Sequence, residues 1–249
     1  MLHKPYDAVI HAAGTIETDC AEVLNNHGTQ RLLDALTPHP PRHFTYISSV
    51  EVYGLNPGED VPETCFLRPD TEYARSKIRA EKLIEKWCKT HGVTCTILRP
   101  ATTVGSGMHG RLDPLVKAVS KGYYMHIKDN PGRRSLVMAD DVAQAVRLTF
   151  GVEGIFNVTD GLEHSMIDIA DAIAANITSG KRILTMPNIL IKLPLKLSGK
   201  KSKLRHIYNT LTATATYSTK KLCDRVAFRP YNTIEVISRR HPTYPYKDL

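Results

Sequence analysis

Three features of the sequence predict an α/β fold with a doubly wound parallel sheet. Short apolar runs alternate with longer stretches of helical periodicity, the runs lack the polar alternation of a half-exposed strand, and Gly or Pro marks the junctions. The first run, residues 8–13, is closed by Gly14. Residues 21–36 then place Val23, Leu24, Leu32, Leu33 and Leu36 at helical spacing, and Thr37-Pro38-His39-Pro40-Pro41 stops them. Residues 44–49 form the second strand, followed by a polar loop with Gly54, Pro57, Gly58 and Pro62. Residues 71–88 make a long charged helix whose buried side is Ile78, Leu83, Ile84 and Trp87, and Gly92 ends it before a third strand at 93–98. Further helices are expected at 112–119, 140–150 and 167–175, a strand at 154–158, and a last helix around 233–239. The apolar-basic stretch 188–197 has the spacing of a helix with a buried stripe and solvated lysines.

Composition narrows the class further. A chain of 249 residues accommodates one compact domain, or a domain with a small second lobe. The fifteen Gly and fifteen Pro are scattered, which excludes collagen-like and low-complexity chains. No segment approaches the roughly eighteen apolar residues of a membrane span, and Leu2-His3-Lys4-Pro5 has no apolar signal core, so secretion is not expected. Cys20, Cys65, Cys88, Cys95 and Cys223 share no CxxC spacing; they read as reduced thiols of a cytoplasmic protein, with neither a disulfide frame nor a metal site. Thirty-three Lys and Arg against 25 Asp and Glu give a net charge of +8, with the cations crowded after residue 180. No aromatic nucleic-acid motif, zinc finger or basic heptad accompanies them, so no nucleic-acid partner is expected.

Gly105-Ser106-Gly107-Met108-His109-Gly110 satisfies GxGxxG after a strand. The strand ends six residues too early and Pro114 delays the next helix, so this segment reads as a glycine-rich surface loop. The chemistry lies elsewhere. Tyr73 and Lys77 stand four apart on a helix and share a face, where a cation favours phenolate and draws the tyrosine pKa towards neutrality. Such pairs also occur on solvated helix faces. Ser48 and Ser49, at the carboxyl end of the preceding strand, sit where open α/β sheets bind ligands and could hold a substrate oxygen while Tyr73 moves the proton.

At this point the residues resemble a family. Asp7-Ala8-Val9-Ile10-His11-Ala12-Ala13 is similar to D-x-V-x-H-x-A-A, and Asn25-Asn26-His27-Gly28-Thr29 to N-x-x-G-T. Ser48-Ser49-Val50-Glu51-Val52-Tyr53-Gly54 is similar to S-S-x-x-V-Y-G, Tyr73 and Lys77 to YxxxK, and Leu98-Arg99-Pro100 to the L-R-P loop. Arg134-Ser135-Leu136-Val137-Met138-Ala139-Asp140-Asp141 resembles R-x-x-x-x-V-D-D. These are motifs of the extended short-chain dehydrogenases/reductases, in particular the NAD-dependent epimerase/dehydratase group, and they occur here in family order.

The resemblance implies a Rossmann-like sheet over residues 1–105 and 139–160, with a substrate-binding lobe from 106–138 and 161–249. It implies Ser49, Tyr73 and Lys77 as catalytic residues and Ala12, Ala13, Gly14, Asn25, Tyr73, Lys77, Pro100 and Ala101 against NAD or NADP. Ser49, Thr102 and Arg134 would meet the substrate, most simply a nucleotide sugar, with Arg134 on its diphosphate. Reversible hydride transfer and a homodimer joined through the helices at 21–36 and 71–88 are further implications. The family's strand–GxxGxxG–helix unit is not found ahead of residue 8. The sheet is therefore expected without its first strands, and dinucleotide affinity is expected to be poor. Thr102 replaces a common asparagine, and Val50 occupies one of the acidic places a dehydratase needs, leaving only Glu51. Residues 188–197 are also similar to segments of the hydroxysteroid dehydrogenase-like branch that cover lipophilic substrates. A reductase of that kind, or a non-catalytic fragment, are the alternatives.

Overall fold

The computed structural model describes residues 6–16, 20, 22–105, 111–177, 182–197 and 202–238, with the side chains of 195–197 outside that description. Its centre is a four-stranded, wholly parallel sheet of β1 (Ala8–His11), β2 (His43–Ile47), β4 (Thr94–Pro100) and β9 (Gly154–Val158), in the order β1-β2-β4-β9. Both faces are covered. On one, α1 (Gly28–Leu36) and α2 (Glu72–His91) bring Leu33, Leu36, Ala80, Ile84 and Trp87 onto Phe44, Tyr46 and Ile97. On the other, α4 (Ala139–Leu148) and α8 (Lys220–Arg225) contribute Ala145 and Leu222 to a core with Leu98, Phe156 and Val158. This is why the inner strands β2 and β4 are buried along their length, whereas edge strand β1 leaves Ile10 exposed.

The expected helix over 21–36 begins differently. Residues Glu22–His27 form a π turn, and only then does α1 start. The wider turn directs Asn25 and Asn26 inward together, both buried. Helix α2 is capped by Thr71, whose hydroxyl accepts from Ala74 N at 3.1 Å, and runs beyond Cys88 to His91 before Gly92 closes it.

Eight short strands among the described residues escaped the sequence pattern, and two of them bring distant segments together. β3 (Gly58–Val61) lies inside the polar loop and β12 (Ala215–Tyr217) inside the basic tail; they pair with each other in a second sheet of order β10-β7-β12-β3. Its other members are β7 (Arg133–Arg134) and β10 (His164–Ser165). Two-stranded pairs complete the element list, β5 (Thr102–Val104) with β8 (Leu136–Met138) and β6 (His126–Ile127) with β11 (Thr185–Met186). Here α3 (Asp113–Ser120), α5 (Met166–Ile177) and α9 (Thr233–Ser238) enclose a separate apolar cluster around Leu115, Leu136, Met138, Ile169 and Ile173.

The helix at 188–197 forms as expected, α6 (Asn188–Leu197), but its stripe is not buried. Ile189, Leu190 and Leu193 are 72%, 58% and 63% exposed. Helix α7 (Lys203–Thr212) follows with no buried residue. The GxGxxG segment beyond Gly105, and Arg239, lie outside the described residues. No helix among the described residues is long and apolar enough to cross a membrane.

Candidate active site

The carboxyl edge of the main sheet gathers the expected residues. After β1 the chain passes through Ala12, Ala13 and Gly14, all exposed, leaving backbone open at the strand end. Asn25 fixes this loop: its Oδ1 accepts from Thr15 N at 2.9 Å, and its Nδ2 donates to Thr15 O at 3.0 Å and Ser76 Oγ at 2.9 Å. With its amide so engaged, Asn25 acts on the loop and on α2 rather than presenting a free group. Behind it, Thr29 Oγ1 donates to Asn25 O, which leaves it to accept from His11 Nε2 at 2.8 Å and makes His11 the Nε2–H tautomer. Burial, and then the Lys77 charge, hold His11 down at about 4, so it is neutral at physiological pH.

Gly14 is closely packed on its side-chain neighbours. A Cβ there would stand 3.0 Å from Asn25 Oδ1 and 3.4 Å from Lys77 Nζ. Lys77 is 4% exposed and donates to Ile47 O, at the end of β2, at 2.9 Å. Its ammonium lies 4.9 Å from the Tyr46 ring centre and 5.7 Å from that of Tyr73. Burial pulls its pKa down to about 8 against the opposing pull of Glu81 and Glu51.

Ser49 caps the 3-10 turn Val50–Tyr53, accepting from Glu51 N at 3.2 Å, and its hydroxyl is hydrogen-bonded to Tyr73. The turn ends at Gly54, where a Cβ would stand 2.6 Å from Arg68 O and φ is +95°. Tyr73 departs from the sequence argument. Burial and then the Glu51 charge push it up to about 12, while the Ser49 hydrogen bond and Arg111 draw it back. Tyr73 is thus a protonated phenol, and Arg111 is the cation that draws its pKa back, while Lys77 donates to Ile47 O.

The sequence motifs did not reveal Arg111 as a partner of the site, nor the polar floor below it. Arg111 pairs with Glu51 through both guanidinium and carboxylate, sixty residues apart in sequence. Beneath the serines, Ser48 Oγ donates to Glu81 Oε1 at 2.5 Å, and Arg99 grips both oxygens of Glu81 at 3.0 and 2.7 Å. Arg99 also donates to Tyr53 Oη at 2.8 Å, and Tyr53 to Asn157 Oδ1 at 2.9 Å. The only sequence signals were Glu81 one turn beyond Lys77 and Arg99 inside the L-R-P motif.

The remaining expected residues sit at the margin. Pro100 and Ala101 are buried where β4 meets β9, with Ala101 N donating to Val158 O at 2.9 Å, and Thr102 is half-buried at the start of β5. Arg134 belongs to the second sheet. Its guanidinium donates to Ala213 O, Thr210 O and Arg133 O, closing the carboxyl end of α7, while its charge is felt by Arg111 and Tyr217. All five cysteines are free, and no cluster among the described residues could hold a metal ion.

A parallel sheet with Ser, Tyr and Lys converging on its carboxyl edge defines a Rossmann-like α/β protein. Residues 1–159 match the NAD dependent epimerase/dehydratase family, and the chain belongs to it. It is 27% identical over 188 residues to a dTDP-glucose 4,6-dehydratase of Streptomyces niveus, covering 70% of this chain and 56% of that protein. With the UDP-glucose 4-epimerase of Vibrio cholerae it shares 25% over 223 residues, 85% of this chain and 66% of that one. In structure it is similar to RMD from Pseudomonas aeruginosa, solved with NADPH, with a TM-score of 0.73 at 23% identity over 96% of this chain and 81% of that one. The chain spans about half the length of the curated relatives it matches.

Proposed function

We propose that this chain carries the proton-transfer site of a nicotinamide-dependent epimerase or reductase acting on a nucleotide sugar. The observation that carries the reading is the convergence of Ser49, Tyr73 and Lys77 beside the open backbone of residues 12–14. The residues fit the nicotinamide–ribose end of NAD or NADP. Gly14 leaves room against Lys77, whose buried ammonium can hold ribose hydroxyls, and Pro100 and Ala101 would line the next strand end. When bound, the nicotinamide supplies hydride exchange with a substrate carbon.

The chain's own residues handle the proton. Ser49, whose oxygen already accepts from Glu51 N, uses its hydroxyl hydrogen on the reacting oxygen. Tyr73, protonated at neutral pH, gives its proton to that oxygen in the reducing direction and recovers it in reverse. Arg111 stands on the lobe side of Tyr73, and the Arg134 charge is felt there. Two cations at that rim suit an anionic substrate, with Arg134 exchanging carbonyl partners for phosphate and Thr102 beside it. Glu51 is engaged by Arg111 and Val50 is apolar, which favours epimerisation or reduction over dehydration. We assign cofactor and catalytic work to residues 1–105 and 139–160, substrate binding to 106–138 and 161–249, and homodimer contacts to α1 and α2.

Saturation-transfer NMR with millimolar NADH or NADPH tests the cofactor side and tolerates weak binding. Transfer should be strongest at the nicotinamide and its ribose and should fall in Lys77→Ala. Transfer concentrated on the adenine, or unchanged in the variant, would remove the reading.

A further inference from the structure

The positive charge of this chain is confined to one stretch. Between Asp171 and Asp224 lie 52 residues without a single Asp or Glu, and they hold ten of the 33 Lys and Arg residues. The rest of the chain carries 23 cations against 25 acids. The same stretch carries α6, the helix whose apolar side chains face outward.

Leu184, Ile189, Leu190, Leu193, Leu204 and Ile207 are between 44% and 72% exposed. They are six of the seventeen large apolar side chains exposed among the described residues, within 24 positions of sequence. Ile189, Leu190 and Leu193 lie on α6, Leu204 and Ile207 on α7, and Leu184 just ahead of β11. Tyr208 Oη donates to Asn188 Oδ1 at 3.1 Å, tying α7 to the start of α6, and β11 leads directly into α6. Arg182, Lys192, Lys203 and His206 are exposed among these apolar side chains.

Exposed aliphatic side chains interleaved with cations, with no acid between them, match the needs of a lipid–water boundary. There the aliphatic groups leave water for the upper acyl region while Lys and Arg stems reach headgroup phosphates. A nucleic acid would engage the cations but leave the leucines in water, and α6, about 15 Å long, is too short to cross a bilayer. We propose that α6 and the amino-terminal half of α7 dock this protein on the surface of an anionic lipid bilayer. The carboxyl end of α7 is held by Arg134, so the docking surface is mechanically continuous with the rim of the site.

The test is co-sedimentation of the full chain with vesicles of phosphatidylcholine alone, or of phosphatidylcholine with one third phosphatidylglycerol. Partition onto the anionic vesicles should exceed that onto the neutral ones by at least about tenfold and weaken at high salt. Leu190→Glu with Leu193→Glu should lower it about tenfold or more with far-UV circular dichroism and thermal midpoint unchanged, since both side chains are exposed. Lys192→Glu with Lys203→Glu should abolish the anionic preference. Undiminished binding by the leucine variant would overturn the proposal, as would equal partition onto both vesicles. Two further results would also overturn it, each in a wild type that ignores vesicles: a self-associated form that the leucine variant makes monomeric, or retention of RNA.

Discussion

Two glutamate–arginine pairs flank the strand end that carries Ser48 and Ser49, and they differ in surroundings more than in chemistry. Glu81 and Arg99 lie below it with side chains 3% exposed, each oxygen and nitrogen engaged by Ser48, Tyr53 or the partner. Glu51 and Arg111 lie above it, 19% and 50% exposed, and face Tyr73. The lower pair holds the floor rigid, because a charge so buried must keep its partner. The upper pair, open to water, adds little to folding but sets the field at the Tyr73 phenol.

That contrast can be broken by substitution. Glu81→Ala should destabilise the chain by about 3–5 kcal/mol in urea unfolding, because Arg99 is left as an uncompensated buried charge. Glu81→Leu with Arg99→Met should recover most of the loss. Lys77 gives the next effect, through pH. Its folded pKa of about 8 lies below the ordinary 10.5, so between those values the unfolded chain binds the extra proton and stability rises with pH. Relative to Lys77→Met, the wild type should gain up to about 3 kcal/mol across that window. Asn25→Ala should cost about 2 kcal/mol, since it removes two hydrogen bonds to Thr15 and one to Ser76, and should loosen amide protection in residues 12–16. Arg111→Ala should shift stability by less than about 1 kcal/mol. It should nevertheless raise KM for an anionic substrate, a split that separates the rim from the floor.

What the sequence made legible follows from range. The strands at 44–49 and 93–98 were visible because a sheet covered on both faces leaves a continuous apolar run, whereas the run at 8–13 lies at the sheet edge with Ile10 exposed. β3 was not: Pro57, Gly58 and Pro62 read as turn, and its partner β12 lies more than 150 residues away. Tyr73 and Lys77 were legible from a spacing of four, whereas Arg111 reaches Glu51 across sixty residues and carries no local signature. Helix α6 shows a further limit. Its periodicity revealed which side chains share a face but not what that face meets, and it meets solvent. The expected lowering of the Tyr73 pKa failed for a similar reason, since burial and the charge of Glu51, neither visible in the spacing of four, push it up.

The central claim is that Ser49, Tyr73 and Lys77 act as one proton-transfer set beside a nicotinamide. The most direct measurement is single-turnover reduction of a panel of keto nucleotide sugars by NADH or NADPH, followed by the loss of absorbance of the reduced ring, in wild type and Tyr73→Phe. Such a set requires reduction by wild type and a loss of at least about a hundredfold in the variant, with its fold intact. Equal rates in the two proteins, or no reduction by wild type with any sugar at millimolar cofactor, would contradict the claim.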